Sequence, residues 1–120
     1  IMYPKEEFVV WGTGTQRRAF VYVEDVIQAI IATLDKGMNK GVIQIGPEKS
    51  HSISEIAEKI VSLSGKDIPI KFDVDKPEGD KDRMADTTKA REIIGWRQKF
   101  DINEGLAQTF AWANEYMAEV

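Results

Sequence analysis

Residues 52–65 write out a helix with both of its ends marked. Ser52 with Glu55 forms the S-x-x-E capping box, in which the serine side chain takes an amide of the first turn and the glutamate reaches back to the serine amide. Ile53, Ile56, Ala57, Ile60 and Leu63 recur at helical spacing, and Gly65 can turn the chain out of the helix at little steric cost. A helix with a single apolar stripe must lie against something, and the neighbouring segments offer short strands.

Those strands alternate with further helices. Residues 8–11 and 20–23 read as strands, and residues 25–36 as a helix. Its Val26, Ile27, Ile30, Ile31 and Leu34 form one broad apolar face, with Gly37 as its stop. Residues 42–45 are a brief apolar run closed by Gly46-Pro47, which predicts a buried strand. Residues 68–72 make another strand, with Pro69 favouring an edge or a start, and 73–83 make a polar loop. A short helix follows at 87–94 with Gly95 behind it. Asp101 with Glu104 opens a last helix that stacks Ile102, Leu106, Phe110, Ala113 and Met117 on one side. The expectation is an α/β chain of mixed short strands and about four helices, one domain over residues 1–120, without repeats or low-complexity stretches.

Composition narrows the function classes. Sixteen basic against 20 acidic residues leave a net charge of −4, which argues against nucleic acid as a general partner and makes any anion site local. The absence of cysteine excludes disulfides and thiolate metal sites and is compatible with a cytoplasmic location. No apolar run approaches the roughly 20 residues that span a bilayer, and residues 1–4 carry no signal-peptide pattern. Neither a membrane nor a nucleic-acid role is therefore expected. The start at Ile1 suggests an excised or processed segment.

Chemistry concentrates in residues 11–25, WGTGTQRRAFVYVED. Gly12 and Gly14 permit tight turns and close approach of a ligand, while Arg17 and Arg18 offer permanently charged planar donors suited to phosphate oxygens. On spacing alone, a hairpin with solvent-facing arginines accounts for the same letters. Phe20 and Tyr22 alternate with Val21 and Val23, so one pair should face a core, and Asp25 stands where a helix N-cap is wanted. In the polar loop, Lys76, Lys81 and Arg83 sit among Glu78, Asp80 and Asp82, a balanced composition that reads as a solvated segment. His51 lies in a polar turn with no second histidine to share a metal. Trp96 and Trp112 read as packing residues.

Taken in order, Gly12, Gly14, Arg18, Phe20, Tyr22, Val23 and Asp25 spell G-x-G-x-x-x-R-x-F-x-Y-V-x-D. This resembles the nucleotide-sugar-binding segment of the extended short-chain dehydrogenase/reductases, the NAD(P)-dependent epimerases, dehydratases and reductases of activated sugars. GVIQIG at 41–46, SISEIA at 52–57, KPEGDKDRMADTTKAREIIGW at 76–96 and FDINEGLAQTFAW at 100–112 are similar, in the same order, to segments of the family's C-terminal, substrate-binding part. The run PEG, R, AD, T-K and G-W resembles the GDP-mannose 3,5-epimerase and GDP-fucose synthase branch more than the UDP-glucose 4-epimerases.

The resemblance implies a diphosphate clamp. Arg18 and the basic residue at Arg83 would grip the substrate from opposite sides, Gly12 would let it approach, and Trp11 would lie near the sugar. Arg17 falls at a variable family position and ranks below Arg18 as a surface charge, while Lys81 and Asp82 stay unassigned. The choice of base would rest on residues 1–10 and on the rest of the enzyme. Two family hallmarks are missing: the Gly-x-x-Gly-x-x-Gly turn that holds a dinucleotide, and a Tyr-x-x-x-Lys pair, since Tyr3, Tyr22 and Tyr116 are followed four places on by Glu7, Val26 and Val120.

The expectation is therefore the substrate half of an epimerase or dehydratase, with no catalytic residue and no turnover of its own. NAD or NADP would be bound by an absent cofactor-binding domain, the parent reaction would be epimerisation through a transient keto-sugar, and the parent would be a homodimer. The rival is a non-catalytic nucleotide-binding or protein-interaction module of the same fold, exposing the apolar helix at 25–36.

Overall fold

The computed structural model describes residues 7–117, whose strands pair as two separate two-stranded sheets. β1 (Phe8–Trp11) lies parallel to β4 (Ile70–Asp73), with Phe8 opposite Ile70 and Trp11 opposite Asp73. β2 (Arg17–Arg18) runs antiparallel to β3 (His51–Ser52), with Arg18 opposite His51. Among the described residues four α-helices complete the mixed α/β architecture: α1 (Val23–Ala32), α2 (Ile53–Ser64), α3 (Thr88–Ile94) and α4 (Ile102–Met117).

α2 forms as its letters specify. Ser52 Oγ accepts the Glu55 amide at 3.1 Å, Glu55 Oε2 accepts the Ser52 amide at 2.9 Å, and Gly65 closes the helix at φ 64°. Two more amides that a helix start leaves free are taken by the preceding turn: Ile53 N–H donates to the Gln16 carbonyl at 3.0 Å and Ser54 N–H to that of Gly14 at 2.9 Å. The helix start thereby fixes the turn at 14–16. α4 opens in the same manner, with Asp101 Oδ1 accepting the Asn103 and Glu104 amides at 2.8 and 2.9 Å and Glu104 Oε2 accepting the Asp101 amide at 2.9 Å.

α1 departs from expectation at its start. Residues 20–23 are not a strand, and the helix begins at Val23, with Tyr22 as an extended N-cap that makes no side-chain cap bond. Tyr22 turns toward α4 instead, its ring 4.9 Å from that of Phe100 and its hydroxyl donating to Gln108 Oε1 at 3.0 Å. Asp25 is not the N-cap but lies inside the first turn, 1% exposed. Its Oδ1 accepts the Lys99 amide at 3.0 Å and its Oδ2 the Phe100 amide at 3.1 Å, while its carbonyl accepts Trp96 Nε1–H at 2.8 Å. The junction between α3 and α4 needs an acceptor for two partly buried amides, and that need outweighs a cap.

The inner side of α1 places Ala29 in a core with Ala90, Ile94 and Trp96, flanked by Val21, Ile43, Ile45 and Ile93. Trp96 is packed as expected, but Trp112 is 59% exposed, with its ring 5.5 Å from that of Tyr116. The outer side of α1 leaves Ile27, Ile30 and Ile31 exposed, and Leu34 just beyond its end is 67% exposed. The α-helix then continues through a π-helical turn at Thr33–Gly37.

Residues 42–45 are not a strand, although Ile43 and Ile45 reach the core. No described strand runs beside them, and a ladder requires a partner. β4 starts later than the sequence suggests: Pro69 lies just before it, and the Pro69 carbonyl accepts the Phe8 amide at 2.9 Å.

Candidate functional site

The segment 11–18, the start of α2 and the loop 73–83 meet at one edge of the molecule. Gly12 and Gly14 both adopt positive φ, 83° and 77°, a conformation that side chains disfavour. Space excludes side chains as well, since a Cβ on Gly12 would strike Glu78 and one on Gly14 would strike the Phe72 ring. The Gly12 amide donates to the Asp73 carbonyl at 2.8 Å, and the Thr13 amide donates to the Glu78 carboxylate. Hydrogen bonds from the Thr13 side chain and amide hold the Glu78 carboxyl below the usual carboxylate range.

Arg18 is half-buried, and both of its Nη groups are engaged. Nη1 donates to the carbonyls of Arg17 at 2.7 Å and Asp80 at 2.6 Å, and Nη2 donates to that of Glu78 at 3.0 Å. Gly79, at φ 74°, makes this approach possible, because a Cβ there would lie 3.1 Å from Arg18 Nη2. Arg83, three residues on from Asp80 in the same loop, places its Nε 2.6 Å from Asp80 Oδ2, on a side chain 78% exposed. Trp11, 60% exposed, ends β1 where the loop begins, with Lys76 Nζ 5.7 Å from its ring centroid. Trp11, Gly12 and Arg18 thus border the loop that carries Arg83.

Arg17 is not the free surface charge that its variable position suggested. Its Nε donates to Ser50 Oγ at 3.0 Å, its Nη2 donates to the Ser50 carbonyl, and its amide ties β2 to the Lys81 carbonyl at 2.8 Å. The guanidinium is an anchor for the strand pair.

Sequence reasoning missed Glu78, Asp80 and Gln16. Gln16 is 7% exposed and donates from Nε2 to the Trp11 carbonyl at 3.2 Å, and its buried Oε1 has no hydrogen-bond partner among the described residues. Nothing local marks these three; only the Gly79 turn between Glu78 and Asp80 hints that the loop folds back.

The site's donors are two guanidinium groups and the amides of a glycine turn, a set suited to a compact anion. It does not fit a dinucleotide, because the turn at 12–14 leads toward strand β2 and not into a helix N-terminus. His51 Nδ1 lies 3.4 Å from Glu55 Oε2, and among the described residues no group of three or more His, Cys, Asp or Glu is placed to hold a metal. A cavity of 580 Å³ between residues 20–23 and α4, walled by Phe20, Tyr22, Phe100, Leu106 and Trp112, includes none of the four candidates. No described helix is long and apolar enough to cross a membrane.

Comparison with known proteins supplies the family. GDP-L-fucose synthase 1 of Arabidopsis thaliana is 34% identical over 107 residues, which cover 89% of this chain and 33% of the relative. GDP-mannose 3,5-epimerase 1 of Oryza sativa subsp. indica is 30% identical over 110 residues, covering 92% of this chain and 29% of the relative. The crystal structure of UDP-glucuronic acid 4-epimerase from Bacillus cereus, in complex with UDP-glucuronic acid and NAD, superposes with a TM-score of 0.81 at 28% identity. That match covers 92% of this chain and 36% of the epimerase. The chain thus spans about a third of the length of the proteins it matches. The family described as GDP-mannose 4,6 dehydratase matches residues 1–109, and the chain belongs to that family of extended short-chain dehydrogenase/reductases.

Proposed function

We propose that this chain is the nucleotide-sugar-binding part of an NAD(P)-dependent epimerase or dehydratase, with residues 1–120 acting as one substrate domain. The observation that carries the reading is the meeting of Arg18 and Arg83 at Asp80, beside the glycine turn at 12–14. A nucleoside diphosphate presents closely spaced anionic oxygens, and each charge-assisted hydrogen bond to them contributes about 1.5–3 kcal/mol. Arg18 and Arg83 take the diphosphate, Gly12 admits it, and Trp11 offers its exposed face to the sugar. Binding remote from the reacting carbon positions that carbon for chemistry done elsewhere.

The parent reaction on this reading is epimerisation through a transient keto-sugar. NAD or NADP supplies the hydride chemistry when bound to the remainder of the parent enzyme, and no residue of this chain has a catalytic role. The exposed Ile27, Ile30, Ile31 and Leu34, with the unpaired run at 42–45, give that cofactor-binding domain an apolar face to cover. The parent is a cytoplasmic homodimer. Similarity to a GDP-L-fucose synthase and a GDP-mannose 3,5-epimerase favours a GDP-sugar. Of residues 1–10, expected to bear on the base, 1–6 lie outside the described residues. The same α1 face supports the rival, a protein-interaction module without a substrate of its own.

Titration of the isotope-labelled chain with GDP, UDP and dTDP tests the proposal. Amide shifts in both 11–18 and 79–86, lost in Arg18→Ala, are the expected result, and the strongest ligand names the base. Well-dispersed spectra that do not respond at millimolar ligand would overturn it in favour of the module.

A further inference from the structure

We propose that Glu78 and Asp80 are internal competitors for the anion site, so that a diphosphate must displace two carboxylates supplied by the chain itself; this rests on the reading of Arg18 and Arg83 given above. The Thr13 amide, Arg83 Nε and both Arg18 Nη groups already hold acceptors from the loop. The Thr13 amide is on the Glu78 carboxylate, Arg83 Nε is 2.6 Å from Asp80 Oδ2, and Arg18 spends its Nη donors on the Glu78 and Asp80 carbonyls. Gly79, at φ 74°, turns the loop so that both carbonyls accept from Arg18 while the Glu78 carboxylate takes the Thr13 amide and the Asp80 carboxylate meets Arg83.

A carboxylate and a phosphate ask the same of an amide or a guanidinium: a negative oxygen in line with an N–H. The two cannot share one donor at full strength. The resident contacts are weak enough to yield, because the Arg83–Asp80 pair is exposed, 78% and 57% at its two side chains, and exposed ion pairs contribute little in water. They also add negative charge where a polyanion must arrive. Glu78 and Asp80 therefore lower affinity without closing the site, and they set the ligand concentration at which it fills.

Calorimetric titration of the full 120-residue chain with GDP and with inorganic pyrophosphate, at one fixed ionic strength, measures the effect. Glu78→Gln and Asp80→Asn should each bind both probes about threefold tighter, and the double variant about tenfold tighter. In amide spectra, Thr13 should shift when pyrophosphate is added to the unaltered chain and should already be displaced in ligand-free Glu78→Gln. If the unaltered chain binds GDP and the double variant binds no tighter, the competitor role is overturned while the clamp stands. If neither chain binds either probe, the clamp itself is wrong and the competitor role falls with it.

Discussion

Helices α1 and α2 carry equally clear apolar patterns, yet one is packed as its pattern asks and the other is not. α2 buries Ile56 and Ala57, at 7% and 3% exposure, and is capped by its own letters. α1 buries Ala29 and the charged Asp25, and turns Ile30 and Ile31 outward at 56% and 55% exposure. Periodicity states that a face needs covering; it does not state what covers it. In α2 the cover lies within the chain. For α1 the proposed cover is the remainder of a larger enzyme, and the buried side is held by a carboxylate that no periodicity argument would place there.

The sharpest way to break this comparison is Asp25→Ala. The buried Asp25 carboxylate and its bonds to the partly buried amides of Lys99 and Phe100 would be lost, and urea denaturation should show a loss of about 3 kcal/mol. A loss below about 1 kcal/mol would mean that α1 is held by its apolar contacts after all. Ser52→Ala should cost α2 about 1 kcal/mol, the usual worth of a cap.

The same box makes α2 sensitive to acid. The hydrogen bond from the Ser52 amide is the main reason that the Glu55 carboxyl sits below its usual range. A group whose folded pKa is lowered adds stability above its unfolded pKa, near 4.3, and loses it as pH falls through the folded value. Stability should therefore decline in that acid window, and Glu55→Gln should flatten the decline. The smallest effect on stability is expected on the outer face of α1. Replacing Ile30 and Ile31 together by serine should change it by no more than about 0.5 kcal/mol while reducing self-association in light scattering. A large loss of stability would show that the face is already covered.

How far the letters carried depended on how local each question was. Ser52, Glu55, Gly65 and Gly95 mark the ends of α2 and α3, because caps are satisfied within one turn. Residues 20–23 and 42–45 have strand composition but no described strand beside them, and a strand's hydrogen bonds belong to its neighbour. At the site, the letters put Gly12, Gly14 and Arg18 in one short segment. That Arg18 reaches the carbonyls of Glu78 and Asp80 was not legible, because the contacts join residues some sixty positions apart. Arg17 ranks below Arg18 as a surface charge, and its hydrogen bonds to the Ser50 hydroxyl and carbonyl, which make it an anchor, were not legible.

By itself the sequence determined the α/β class, the capped ends of α2 and α4 and the turn at Gly12 and Gly14, since these follow from propensity and spacing. Tertiary structure alone decided which donors share a loop, that Glu78 and Asp80 already occupy them, that Asp25 faces inward and that α1 presents its isoleucines to solvent. Each of those outcomes is set by a hydrogen bond or a packing surface whose other half lies far along the chain, where no local pattern can announce it.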